Sequence, residues 1–164
     1  MASERVHTYT TETVWTGNAG EGTRTYRAFD RLADTTAPGR PVLPASADPG
    51  VSVRADGARW NPELLLLASL SQCHLLWYLH FCSVNGVEVT AYRDPAEAFM
   101  AEEGAKGGRF TRAVLRPRVE VADESMTERA LALHKQAREA CYIANSVNFP
   151  VDHEPAVTVR RPAA

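Results

Sequence analysis

The residues with most chemistry to offer in this 164-residue chain are Cys73, Cys82 and Cys141. A free thiol fills a core as a small hydrophobe, binds a metal, or reacts as a nucleophile cycling through sulfenic acid and disulfide. Cys73 lies in WNPELLLLASLSQCH (60–74) and Cys141 in HKQAREACYIANSVNFPV (134–151). Each sits well along a helical pattern, so their sulfurs can approach if the two helices cross nearby. Core packing stays open as the competing reading at both. Cys82 is nine residues beyond Cys73, about half a turn around the helix, so it points elsewhere and reads as packing.

The histidines raise the metal question. Cys73 and His80 are seven residues apart, as are His134 and Cys141. That is two helical turns, roughly 10 Å along the axis, too spread for one ion. No metal is expected, and His80 is expected to line a pocket or satisfy a buried hydrogen bond. Three unevenly spaced cysteines do not make a secreted disulfide framework. The N-terminal stretch MASERVHTYTTETVW has no apolar leader core, and no uninterrupted apolar run approaches membrane-spanning length, so a cytoplasmic protein is expected. A formal net charge of -2 argues against a nucleic-acid partner.

The elements that must position the thiols read as a single domain over 1–164, with residues 160–164 frayed. Thr13–Thr16 and Thr23–Phe29 alternate as strands do, around the turn GNAGEG. Residues 35–59 are Pro- and Gly-rich loop with a short strand near Val42. Asn61, Pro62 and Glu63 are a helix start, and Asn85-Gly86 is a stop, so a long helix is predicted between them. It is apolar nearly all round, which calls for a partner chain to cover it. Val87–Arg93 and Gly108–Val121 read as strands joined by the charged connector AEEGAKGG. Ser125 and Glu128 form a capping box for a second helix to Cys141, with Leu131, His134, Ala137 and Cys141 on one face. Val151–Val159 closes the chain as a strand. The order argues for an α+β fold.

The two cysteine-bearing runs, in this order among these elements, resemble the OsmC/Ohr family of peroxiredoxin-like organic hydroperoxide reductases. The resemblance implies an OsmC-like fold, with antiparallel strands wrapped around a long buried central helix and a second Cys-bearing helix. It also implies an intertwined homodimer, no metal or organic cofactor, an organic hydroperoxide substrate and an external dithiol reductant. Carried over by position, Cys73 matches the peroxidatic thiol, Cys141 the resolving thiol that closes a disulfide with it, and Glu63 the acidic residue. Ohr-type members place an arginine in the Gly-rich turn between the first strands, where this chain has Glu21. Arg27 is the favoured substitute and Arg24 the alternative, on opposite faces of the predicted strand.

An arginine matters because an ordinary thiol is only a few per cent thiolate at neutral pH. Helix-dipole effects fade within the first turn, and Cys73 lies three turns in. A cation from another segment is therefore required, with Glu63 as its holder. Glu63 and Cys73 are ten residues apart, ~15 Å along one helix, so the pair is expected to meet across a two-fold interface between antiparallel helices. Leu75, Leu76, Trp77, Tyr78 and Phe81 are core, or the apolar wall of a pocket that rewards an alkyl tail by ~0.8 kcal/mol per CH₂. The rival reading is a dimeric, non-catalytic protein that binds a small apolar ligand.

Overall fold

The computed structural model describes residues 5–104 and 107–161. They divide into two compact units, one ending at Leu65 and one beginning at Leu66. The expected frayed tail beyond Arg161, and residues 105–106 of the charged connector, lie outside the described residues.

The first unit is an antiparallel sheet of β1 (Glu12–Trp15), β2 (Leu32–Thr36) and β3 (Leu43–Ser46), in that order. The predicted strand over Thr23–Phe29 is absent; those residues form turns, and Trp15 pairs with Ala33 instead. Tertiary ties override the β-prone composition. The Asp30 N–H donates to the Gly17 carbonyl at 2.9 Å, and the Trp15 indole donates to the Asp30 carbonyl at 3.0 Å. Gly17 permits this approach, because a Cβ there would stand 2.0 Å from the Asp30 carbonyl oxygen. Arg54 then clamps the returning loop, donating to the Phe29 carbonyl at 2.9 Å and pairing with Asp30 at 2.7 Å.

Helix α1 (Pro62–Val84) runs across the division between the units. Its start is as read: the Asn61 side-chain oxygen accepts from the Leu64 N–H at 2.8 Å, leaving Pro62 where no donor is needed. Gly86, at φ 68°, takes the left-handed turn that ends it. By length and composition alone this helix is sufficient to cross a membrane, although Ser69, Ser71, Gln72, His74 and His80 interrupt its apolar run. Leu70, His74, Tyr78 and Cys82, four residues apart, make one buried stripe that includes an imidazole. Apolar residues off that stripe stay open, with Leu76 67% and Val84 64% exposed in the single chain.

The second unit holds two mixed sheets. One is β4 (Val89–Arg93), β7 (Arg118–Val121) and β9 (Ala156–Val159). The other is β5 (Glu97–Glu102), β6 (Gly108–Leu115) and β8 (Val151–His153). β5 falls where the sequence suggested only connector, because its Ala and Glu content hides its pairing with β6. The predicted strand Gly108–Val121 is two strands, since Arg116 and Pro117 break it and send the halves to different sheets. The last predicted strand likewise splits into β8 and β9. Both pair in parallel with β6 and β7, a pairing that needs a long crossover, supplied by helix α2 (Thr127–Ala140).

The capping box at the start of α2 is not formed. Asp123 accepts from the Ser125 N–H, and residues Glu124–Met126 make a 3-10 turn that leads into the helix. Ala130, Leu133, His134 and Ala137 are its buried positions, whereas Leu131, expected on that face, is 48% exposed. Tyr78 and Cys82 of α1 pack with Val119, Val121, Leu133 and Ala137 in one cluster. Leu70 packs with Ala113, Leu115 and Val151 in another. The first cluster fixes which face of α1 meets α2.

Candidate active site

Cys73 is half-buried on α1, and Cys141 is buried immediately after the last residue of α2. The Cys73 thiol is close enough to raise that of Cys141, so the middle of α1 and the end of α2 come together. Cys141 has left the helical ladder, with φ -69° and ψ 107°. Its sulfur accepts from the Ala144 N–H at 3.4 Å. Burial, then the neighbouring Cys73 thiol, pushes the Cys141 thiol up to about 11, and the Ala144 N–H only partly offsets this. A thiol so held is a poor free nucleophile but sits where an oxidised neighbour would need it. Cys82 is 1% exposed, packs in the core and has its thiol against Tyr78, so the packing reading holds there.

Glu63 lies in the first turn of α1, and its Oε2 is buried without a hydrogen-bond partner among the described residues. Such an oxygen is costly to leave unmatched, and a cation is its natural complement. Arg24 pairs with Glu21 at 2.7 Å on the surface, and Arg27 is exposed in the same turn-rich segment. Neither lies on a strand, so the expected alternation between them does not apply. Arg31 was missed by sequence reasoning. Its guanidinium lies 4.6 Å from the Tyr26 ring centre and 4.4 Å from that of Phe29. It also lines an apolar groove of the first unit, ≈ 680 Å³ in volume, with Trp15, Ala33, Ala45 and Leu65. Aromatic neighbours on Arg31 were visible in the sequence as YRAFDR, a signal that the strand reading hid.

His80 departs from expectation: it is exposed, edge-on to Trp77 at 5.7 Å, and satisfies no buried hydrogen bond. The buried histidines are His74 and His134, joined Nε2 to Nδ1 at 3.0 Å. The His153 ring lies 4.4 Å from that of His74, and His134 stacks on Tyr78 at 3.9 Å. Burial first, then the neighbouring rings, holds His74 down at about 3 and His134 at about 4. His153 is lowered by burial and then by Arg138, with Asp94 and Asp152 pulling the other way. Among the described residues, no group of three His, Cys, Asp or Glu is arranged to hold a metal ion. The four-residue spacing of Leu70, His74, Tyr78 and Cys82 was the signal for His74, hidden in a helix read as apolar all round.

Residues 55–155 match the family model described as OsmC-like protein. No curated protein matches the chain. Among solved structures, an OsmC-like protein of unknown function from Vibrio cholerae is 27% identical, with TM-score 0.82, covering 92% of this chain and 100% of its own. An organic hydroperoxide resistance protein OsmC from Legionella pneumophila is 18% identical, with TM-score 0.63, covering 95% and 100%. An organic hydroperoxide resistance protein from Elizabethkingia anophelis is 16% identical, with TM-score 0.65, covering 94% and 99%. At those last two identities the likeness speaks for the α+β fold alone.

Proposed function

The chain belongs to the OsmC-like protein family, and from that premise we propose that it is a cysteine-based peroxidase reducing organic hydroperoxides to alcohols. The single observation that carries this reading is the contact between the Cys73 and Cys141 thiols. The names of the Legionella and Elizabethkingia structures, both hydroperoxide resistance proteins, agree with it. In the proposed reaction the Cys73 thiolate attacks the distal peroxide oxygen and the O–O bond breaks. The alkoxide leaves as alcohol after taking a proton, and Cys73 is left as sulfenic acid. The Cys141 sulfur then attacks the Cys73 sulfur, the S–O bond breaks, and water carries off the oxygen. An external dithiol supplies two electrons and two protons to reopen the disulfide.

The working form is proposed to be a homodimer with α1 at its centre. In its support, Leu64, Leu76, Leu79 and Val84 of α1 are exposed large apolar residues, a pattern that marks an interaction face. The unmatched Glu63 Oε2 is proposed to hold the cation that orients the Cys73 thiolate, and donors aimed at the leaving oxygen would supply most of the rate. Arg27 remains a candidate for that cation, and Arg31, held against the Tyr26 and Phe29 rings, is a second one.

One observation favours the rival, a non-catalytic dimer that binds an apolar ligand: the Gly-rich turn carries Glu21 where hydroperoxide reductases of this family carry arginine. Reduced protein mixed with cumene hydroperoxide decides between them. Loss of two thiols per chain, restored by a dithiol and abolished in Cys73→Ser, is expected for the enzyme. Inert thiols would overturn the peroxidase and support the rival.

A further inference from the structure

Each redox thiol has an aromatic ring beside it, and the rings meet as the thiols do. Trp77 stands one helical turn beyond Cys73 on α1, and Tyr142 directly follows Cys141. Their ring centres are 5.5 Å apart with planes at 84°, an edge-to-face contact. Tyr142 is 69% exposed, so burial does not explain where its ring lies. Trp77 is itself braced, stacked on Phe81 at 5.6 Å.

The turn after Cys141 needs such a brace. Its polar ties are local: the Asn145 N–H donates to the Cys141 carbonyl at 3.0 Å, and the Ser146 hydroxyl to the Tyr142 carbonyl at 2.7 Å. These bonds shape the turn without fastening it to α1. Ile143 and Ala144 anchor its far side against the cluster around Leu70. Leu70 is also on α1, so the turn meets that helix twice, and on the near side, next to the sulfur, the link is the Tyr142 ring on Trp77.

We infer that Trp77 and Tyr142 are a positioning pair for disulfide closure, holding Cys141 within reach of Cys73 while Cys73 is oxidised. This role deepens the proposed peroxidase reaction and rests on it for its biological use. The physical need is general: a disulfide forms only between Cβ atoms about 3.5–4.5 Å apart. A competing second oxidation of the sulfenic acid takes over when the resolving thiol wanders. The hydroperoxide is the oxidant of Cys73, and water departs when the Cys141 sulfur closes the disulfide.

The test equilibrates intact protein with mixtures of reduced and oxidised glutathione and measures the effective concentration of the Cys73–Cys141 pair. Losing an edge-to-face contact should lower it about two- to tenfold in Tyr142→Ala, whereas Tyr142→Phe, which keeps the ring edge, should hold the wild-type value. A second arm traps sulfenic acid with dimedone during hydroperoxide turnover; Tyr142→Ala should trap more per peroxide consumed, and Tyr142→Phe should not. Trp77→Leu gives an independent break of the same contact if Tyr142→Ala fails to fold. An unchanged effective concentration in the folded Ala or Leu variant overturns the pair, as does a Phe variant that falls equally far. The glutathione arm reads the pair without peroxide, so wild-type thiols inert to hydroperoxide would overturn the peroxidase reading alone.

Discussion

His74 on α1 and His134 on α2 share one hydrogen bond of 3.0 Å, with their ring planes 7° apart. One ring must donate and the other accept, so the accepting ring is neutral, and burial disfavours charge on both. Beyond that bond, His74 Nδ1, His134 Nε2 and both ring nitrogens of His153 are buried without partners among the described residues. A proton added to any of these rings brings charge into this interior.

The sign of the acid response follows. The unfolded chain protonates its histidines near the ordinary value of 6.5, while folded His74 resists to about 3 and His134 to about 4. The stabilisation is therefore complete above about pH 6.5 and is lost as pH falls toward those lower values. We expect urea unfolding to show a loss of at least about 2 kcal/mol between pH 7 and pH 4.5. An unfolding midpoint unchanged over that range would mean that the rings are charged, or freely hydrated, in the native state.

Closure of the proposed disulfide should be slow at neutral pH. With Cys141 held up at about 11, its thiolate fraction rises about tenfold per pH unit below that point. Stopped-flow decay of the Cys73 sulfenic acid is expected to quicken accordingly from pH 7 to pH 9. Cys141→Ser should consume one equivalent of hydroperoxide and stall, then over-oxidise; Cys73→Ser should consume almost none. A pH-independent decay would place the proton transfer elsewhere.

The arginine question is open to direct substitution. Arg31 is held against two rings, whereas Arg27 is exposed and Arg24 is tied to Glu21. We expect Arg31→Ala to lower kcat/KM for cumene hydroperoxide at least about tenfold, the scale of one lost oriented donor at developing charge. Arg24→Ala and Arg27→Ala should change it less. A larger loss in Arg27→Ala would restore the assignment that the sequence favoured.

The proposed dimer carries its own measurement. If Glu63 of one chain serves Cys73 of the other, mixing inactive Glu63→Gln with inactive Cys73→Ser gives heterodimers with one site intact. Partial recovery of turnover is expected once subunits exchange. No recovery despite proven exchange would put both residues in one chain's site, or leave Glu63 as a helix-start carboxylate favoured by the dipole.

What the sequence determined was local. Asn61-Pro62 and Asn85-Gly86 bound α1 because cap chemistry acts within one turn of the residue that supplies it. Cys73 and Cys141 stood out in motifs legible along the chain. Tertiary structure decided the rest. Thr23–Phe29 has strand composition but no strand, since Gly17, Asp30 and Arg54 bind that return at distances that composition does not carry. His74 and His134 are 60 residues apart in sequence, and only the packing of α1 on α2 makes them neighbours. Propensity is set by the nearest few residues, whereas a buried hydrogen bond is set by whatever the topology places across from it.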